Sequence, residues 1–104
     1  MKRPAIHLLC GSTGAGKTSL ARQIVTRETA VRFSIDEWMH TLFGPDLPDP
    51  IEFDWMMTRV IRCEEMIWTM AARVLDAGRP VVLDLGYSRT EHRDRARRSA
   101  AGLT

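Results

Sequence analysis

Eight consecutive residues, Gly11, Ser12, Thr13, Gly14, Ala15, Gly16, Lys17 and Thr18, fit the spacing G-x-x-x-x-G-K-[ST]. With Ser19 behind them they form a set suited to cradling phosphate groups. Glycine at 14 and 16 permits the tight curl that turns successive backbone N–H groups toward one anion. Lys17 adds a compact positive charge within reach of β- and γ-phosphates, and a helix starting in the motif aims its positive dipole end at the same point. Thr18 offers a hydroxyl to Mg²⁺, so the cofactors expected are ATP and Mg²⁺.

Two carboxylates could complete a phosphate chemistry. Asp84 interrupts the apolar run Val81, Val82, Leu83, Leu85. A carboxylate in so apolar a strand is costly without a partner, so it reads as a Mg²⁺ ligand acting with Thr18, or as an acceptor of backbone N–H bonds. Asp36 follows Val31 to Ile35 and reads as a base for the hydroxyl proton of a phosphate acceptor, or as a carboxylate favoured by the start of a helix.

These groups need elements to position them. Ala5 to Cys10 is an apolar run of strand length, and Lys17 to Glu28 places Leu20, Ala21, Ile24 and Val25 at helical spacing. Val31 to Ile35 alternates and reads as a second strand ending at Asp36. Ser34 and Glu37 have capping-box spacing ahead of a short helix with Trp38, Met39, Leu42 and Phe43 on its apolar face. Gly44 to Pro50 is a proline-rich loop.

Asp49, Pro50 and Glu52 then resemble a cap, a first helical proline and a third-position glutamate opening a long helix. Met56, Val60, Cys63, Ile67, Met70 and Val74 form its stripe, widened by Ile61, Trp68 and Leu75 and ended by Gly78 and Pro80. Pro80 to Gly86 has the continuous apolar character of a parallel strand buried on both faces. Ser88 and Glu91 repeat the capping spacing before a polar helix running toward Gly102.

The order β-α-β-α-α-β-α calls for an α/β fold, a parallel sheet with helices on its faces and ligands at the carboxyl ends of its strands. The 104 residues allow one domain or part of one, and 44% hydrophobic content can fill a modest core. A net charge of +2 leaves no broad field for nucleic acid. Arg89, Arg93, Arg95, Arg97 and Arg98 do gather near the end. Cys10 and Cys63 sit at apolar positions and read as core thiols of a reducing, cytoplasmic compartment. Neither a signal peptide nor a membrane span is recognisable, so no membrane partner is expected.

The phosphate motif, the Phe33 to Trp38 segment and the Val81 to Gly86 segment together resemble the small P-loop kinases grouped among AAA-type ATPases. Zeta-toxin-like and chloramphenicol-phosphotransferase-like enzymes are relatives of that group. The resemblance implies a P-loop fold with sheet order 2-3-1-4-5, an ATP·Mg²⁺ donor and a small-molecule hydroxyl acceptor. It assigns Lys17 and Asp36 to catalysis, residues 11–19 to the nucleotide, and Thr18 and Asp84 to the metal. It also implies that residues 1–104 form one domain incomplete at its C-terminus, without the arginine-bearing lid and adenine-contacting segment of the family. Such a chain is expected to bind ATP and turn over poorly, with an open edge beside the first strand that invites a homodimer. Two other functions fit the same motif: a non-catalytic ATP-binding switch that orders the 44–50 loop, and a polynucleotide 5′-hydroxyl kinase.

Overall fold

Val81, Val82, Leu83 and Asp84 make a strand that is buried at every position, and the rest of the molecule is arranged around it. A continuous run of branched apolar residues requires cover on both faces, which only helices crossing between parallel strands supply. The computed structural model describes residues 4–9, 15–85, 98 and 100–102, with the side chains of residues 15–18 outside that description. Its elements are β1 (Ile6–Leu9), α1 (Ala15–Glu28), β2 (Val31–Ser34), α2 (Ile35–Phe43), a 3₁₀ turn (Gly44–Asp46), α3 (Phe53–Asp76) and β3 (Val81–Asp84). Arg98 and residues 100–102 are helical, in line with the polar helix expected there.

The three strands are parallel in the order β1-β3-β2. Read from the other edge this is 2-3-1, the first part of the order implied by the resemblance. Ile6 pairs with Val81 and Leu9 with Asp84, while Val31 pairs with Val81 and Ser34 with Asp84, so the three carboxyl ends are level. Strand β1 is half-buried at all four positions, and among the described residues no strand pairs with its outer edge.

The faces of the sheet differ. On one, Phe33, Val81, Leu83 and Leu85 meet Ile35 and the α3 residues Cys63, Ile67, Ala71 and Leu75 in the main core. On the other, Val82 packs with Ala21 of α1 and Ala30, supported by Leu9, Ile24 and Val25. Small alanines let α1 lie close to the strands, whereas the longer α3 covers its face with large side chains. The α2 end and α3 start are clipped together by Arg59, whose guanidinium carbon lies 3.9 Å from the Trp55 ring centroid and 5.7 Å from that of Phe43. That stack holds a cation over two aromatic faces.

Helix ends follow local chemistry. The α3 terminus closes with a Schellman motif: Arg79 N–H donates to Val74 O and Gly78 N–H to Leu75 O, with Gly78 at φ +88°. Helix α1 ends with the same wide bond, from Ala30 N–H to Val25 O, but the left-handed residue is Thr29, at φ 55°.

Several expectations need correction. Strand β2 stops at Ser34 rather than Ile35, because the Ser34 hydroxyl accepts the Glu37 N–H and starts α2 one residue early. Helix α3 starts at Phe53, not at Pro50. Glu52 is its extended N-cap with no side-chain bond, so the Asp49 capping geometry is not formed. Leu20, Leu42 and Ile61, assigned to buried faces, are exposed. Each lies on an apolar stripe wider than the surface its helix presents to the sheet, and a helix buries only the part of the stripe in contact.

Candidate functional site

The carboxyl ends of the strands meet where the phosphate motif joins β1 to α1. Residues 11–14 lie outside the described part, while Ala15, Gly16, Lys17 and Thr18 form the first turn of α1. The N–H groups of a helix first turn lack intrahelical acceptors and, with the helix dipole behind them, can hold an anion. Ser19 follows and is exposed.

Asp84 is the last residue of β3, paired across the sheet with Leu9, the last residue of β1 before the phosphate motif. Alternation along β3 puts Val82 against α1 and Leu83 into the α3 core, so Asp84 shares the α1 face with Val82. Its side chain is 7% exposed. The partner that makes this tolerable is one the sequence reading missed. Arg32 Nη2 donates to Asp84 Oδ2 at 3.1 Å, and Nη1 of the same guanidinium donates to Glu37 Oε1 at 3.2 Å. Arg32 thus ties the end of β3 to the first turn of α2, while its Nε is buried without a hydrogen-bond partner. The signal was present: one arginine alternating with Phe33 in β2, one aspartate in β3, and a strand order that makes the two strands neighbours.

Asp36 occupies the first turn of α2 and is exposed. It stands two residues beyond Ser34, the residue paired with Asp84, so the chain brings both carboxylates to the same end of the sheet. The capping box is half used. Ser34 caps the Glu37 N–H, but the Glu37 side chain turns to Arg32. Deeper in the core, burial raises the Cys63 thiol pKa, and the neighbouring Glu64 charge adds to the effect. Cys63 is a core thiol, as expected, and Cys10 lies outside the described residues.

The donor set fits a magnesium nucleotide. Mg²⁺ carried on phosphates needs one or two protein oxygens, the rest of its shell being phosphate and water. Asp84 supplies a carboxylate at the α1 face, and Thr18 stands in the α1 first turn. Among the described residues no group of three or more His, Cys, Asp or Glu could form a dedicated metal cage. None of the described helices is long and apolar enough to cross a membrane.

Parallel strands in this order, a helix springing from the loop after β1 and a carboxylate ending β3 define a P-loop nucleotide-binding protein of kinase-like fold. The chain belongs to the AAA domain family, whose model matches residues 6–104. Its fold is similar to that of a protein from Chloroflexus aurantiacus J-10-fl described as a candidate kinase. The TM-score is 0.73 at 20% identity, over 99% of this chain and 55% of the other. The chain therefore spans about half the length of that neighbour. No curated protein matches it significantly in sequence.

Proposed function

We propose that this chain binds Mg·ATP and transfers the γ-phosphate to a hydroxyl of a small-molecule acceptor in the cytoplasm. The observation that supports this reading is the level end of the sheet: β3 ends in Asp84, and Asp36 lies two residues beyond Ser34, the β2 residue paired with Asp84. Lys17 and the loop amides hold the phosphates and draw off charge as it develops on the oxygens. Asp84 and Thr18 would hold Mg²⁺, which neutralises the phosphate oxygens when bound. Asp36, exposed beside this end, orients the acceptor hydroxyl and takes its proton as the new O–P bond forms and the bond to ADP breaks.

One feature distinguishes this reading from a plain nucleotide-dependent switch. A switch needs phosphate ligands and a movable segment but no second carboxylate directed at an acceptor. A kinase needs both, and Asp36 meets the additional requirement. The outer edge of β1 would be the place for a further strand or a second copy to pair.

Calorimetry with Mg·ATP, followed by ADP release measured over a panel of hydroxyl acceptors, tests the reading. Lys17→Ala should abolish nucleotide binding. Asp36→Asn should leave ATP affinity intact and lower acceptor-dependent ADP release by about 10²-fold. Tight Mg·ATP binding with no acceptor effect would favour the switch, and salt-sensitive binding of oligonucleotides would favour a polynucleotide acceptor.

A further inference from the structure

The Arg32 guanidinium is shared between two carboxylates on different elements, and one of them is the carboxylate expected to face the metal. Nη2 holds Asp84 at 3.1 Å and Nη1 holds Glu37 at 3.2 Å. The two partners are unequal. Asp84 is 7% exposed and Glu37 is 66% exposed, with Arg32 between them at 22%. The pair with Asp84 is therefore the electrostatically stronger one, because water screens the other. The buried Nε without a partner marks an arrangement that leaves one donor of the guanidinium unsatisfied.

We infer that Arg32 is a positioning residue that holds the Asp84 carboxylate in place and competes with the cation for it, Glu37 taking a larger share of the guanidinium as the cation arrives. This rests on the nucleotide reading above. The argument is electrostatic: a positive charge at hydrogen-bond distance from a carboxylate lowers the attraction that carboxylate exerts on a second cation. Two ligands that oppose each other at one group do so reciprocally: the factor by which Arg32 weakens the cation at Asp84 is the factor by which the cation weakens Arg32 there. Glu37 sits in the same turn as Asp36. A shift of Arg32 toward Glu37 consequently links occupation of the metal position to the helix turn that carries the proposed base.

The two ends of the clamp give opposite signs. ATP affinity is measured by calorimetry on the whole chain with Mg²⁺ and with EDTA, and the ratio of the two affinities is the readout. Arg32→Gln should raise the ratio at least about fivefold, the lower end of ordinary coupling between ligands. Glu37→Gln should lower it, because Arg32 loses its competing partner and settles on Asp84. Arg32→Lys, which keeps the charge, should stay near the unsubstituted ratio and covers the case in which Arg32→Gln does not fold.

Opposite shifts for Arg32→Gln and Glu37→Gln, or, if the former does not fold, a lowered ratio for Glu37→Gln with Arg32→Lys unchanged, support the clamp. Ratios that stay put, or that move in the same direction in both glutamine variants, overturn it and leave Arg32 a structural residue. Absence of ATP binding by the unsubstituted chain under both conditions overturns the nucleotide reading and the clamp with it. ATP binding with unchanged metal dependence overturns the clamp alone.

Discussion

Replacing Arg32 by Met and Asp84 by Leu together should leave the fold as stable as it is now, or more so, although either change alone destabilises it. The reasoning starts from the cost of charge in a covered place. Asp84 and Arg32 have only 7% and 22% of their side chains exposed. Removing one member of a buried ion pair usually costs 3–5 kcal/mol, because the other remains desolvated without compensation. Arg32 keeps some water and Glu37, and Asp84 keeps a further contact of its own, so the lower end applies. Each single change should therefore cost about 3 kcal/mol, a large share of the roughly 5–15 kcal/mol that holds a domain of this size.

The double change removes both desolvation penalties and the unsatisfied Nε. It puts apolar groups of similar volume on a face already occupied by Val82, Leu9 and Ala21. Urea unfolding followed by circular dichroism would give all four stabilities of the cycle. A coupling equal to the sum of the two single losses, about 6 kcal/mol, with the double variant at or above the parent, is the expected result. A double variant that loses the sum of the two single losses would refute the argument, since zero coupling would mean that the two side chains contribute independently and that neither is held by the other.

Three other outcomes follow from the geometry. Thr29→Gly should raise stability by about 0.5–1 kcal/mol in urea titration, because a β-branched residue at φ 55° is relieved by more than the added chain entropy of glycine costs. Ile67→Ala, at a position with no exposed surface in the α3 core, should cost about 2–5 kcal/mol by the same measurement. Cys63 should resist a thiol-specific disulfide reagent at neutral pH until the chain unfolds. Its raised pKa means that the unfolded chain loses the thiol proton first as pH rises. Stability should be unaffected below about pH 8.5 and decline above it, a slope that Cys63→Ala should remove.

Much of the architecture was legible because each element carries a local signal that its surroundings do not override. The unbroken apolar run at 81–83 demanded burial on both faces, and all three residues have no exposed surface. Gly78 announced the left-handed turn that ends α3. Widths were less legible than positions. Leu20, Leu42 and Ile61 lie at helical spacing yet face water, since periodicity gives the direction of a stripe but not the extent of the neighbour that covers it. Glu64 is buried in α3 at 6% exposure, which a reading that reserves buried positions for apolar residues passes over.

The hardest part to read was the Arg32 and Asp84 pair, and the reason is physical. Each residue appears in sequence as one charge in an apolar strand, and neither has a local partner within its own element. Their meeting depends on β2 lying beside β3 in matched register, 52 positions away in the chain. The two sheet faces then explain why it is tolerated. The α3 face is lined by the buried apolar side chains of Cys63, Ile67, Ala71 and Leu75. The α1 face carries the small residues Ala21 and Ala30 beside Val82, and by strand alternation Arg32 and Asp84 lie on this same face. The charge-bearing face of the sheet is thus the one packed with small residues, and the other is the one packed with the long helix α3.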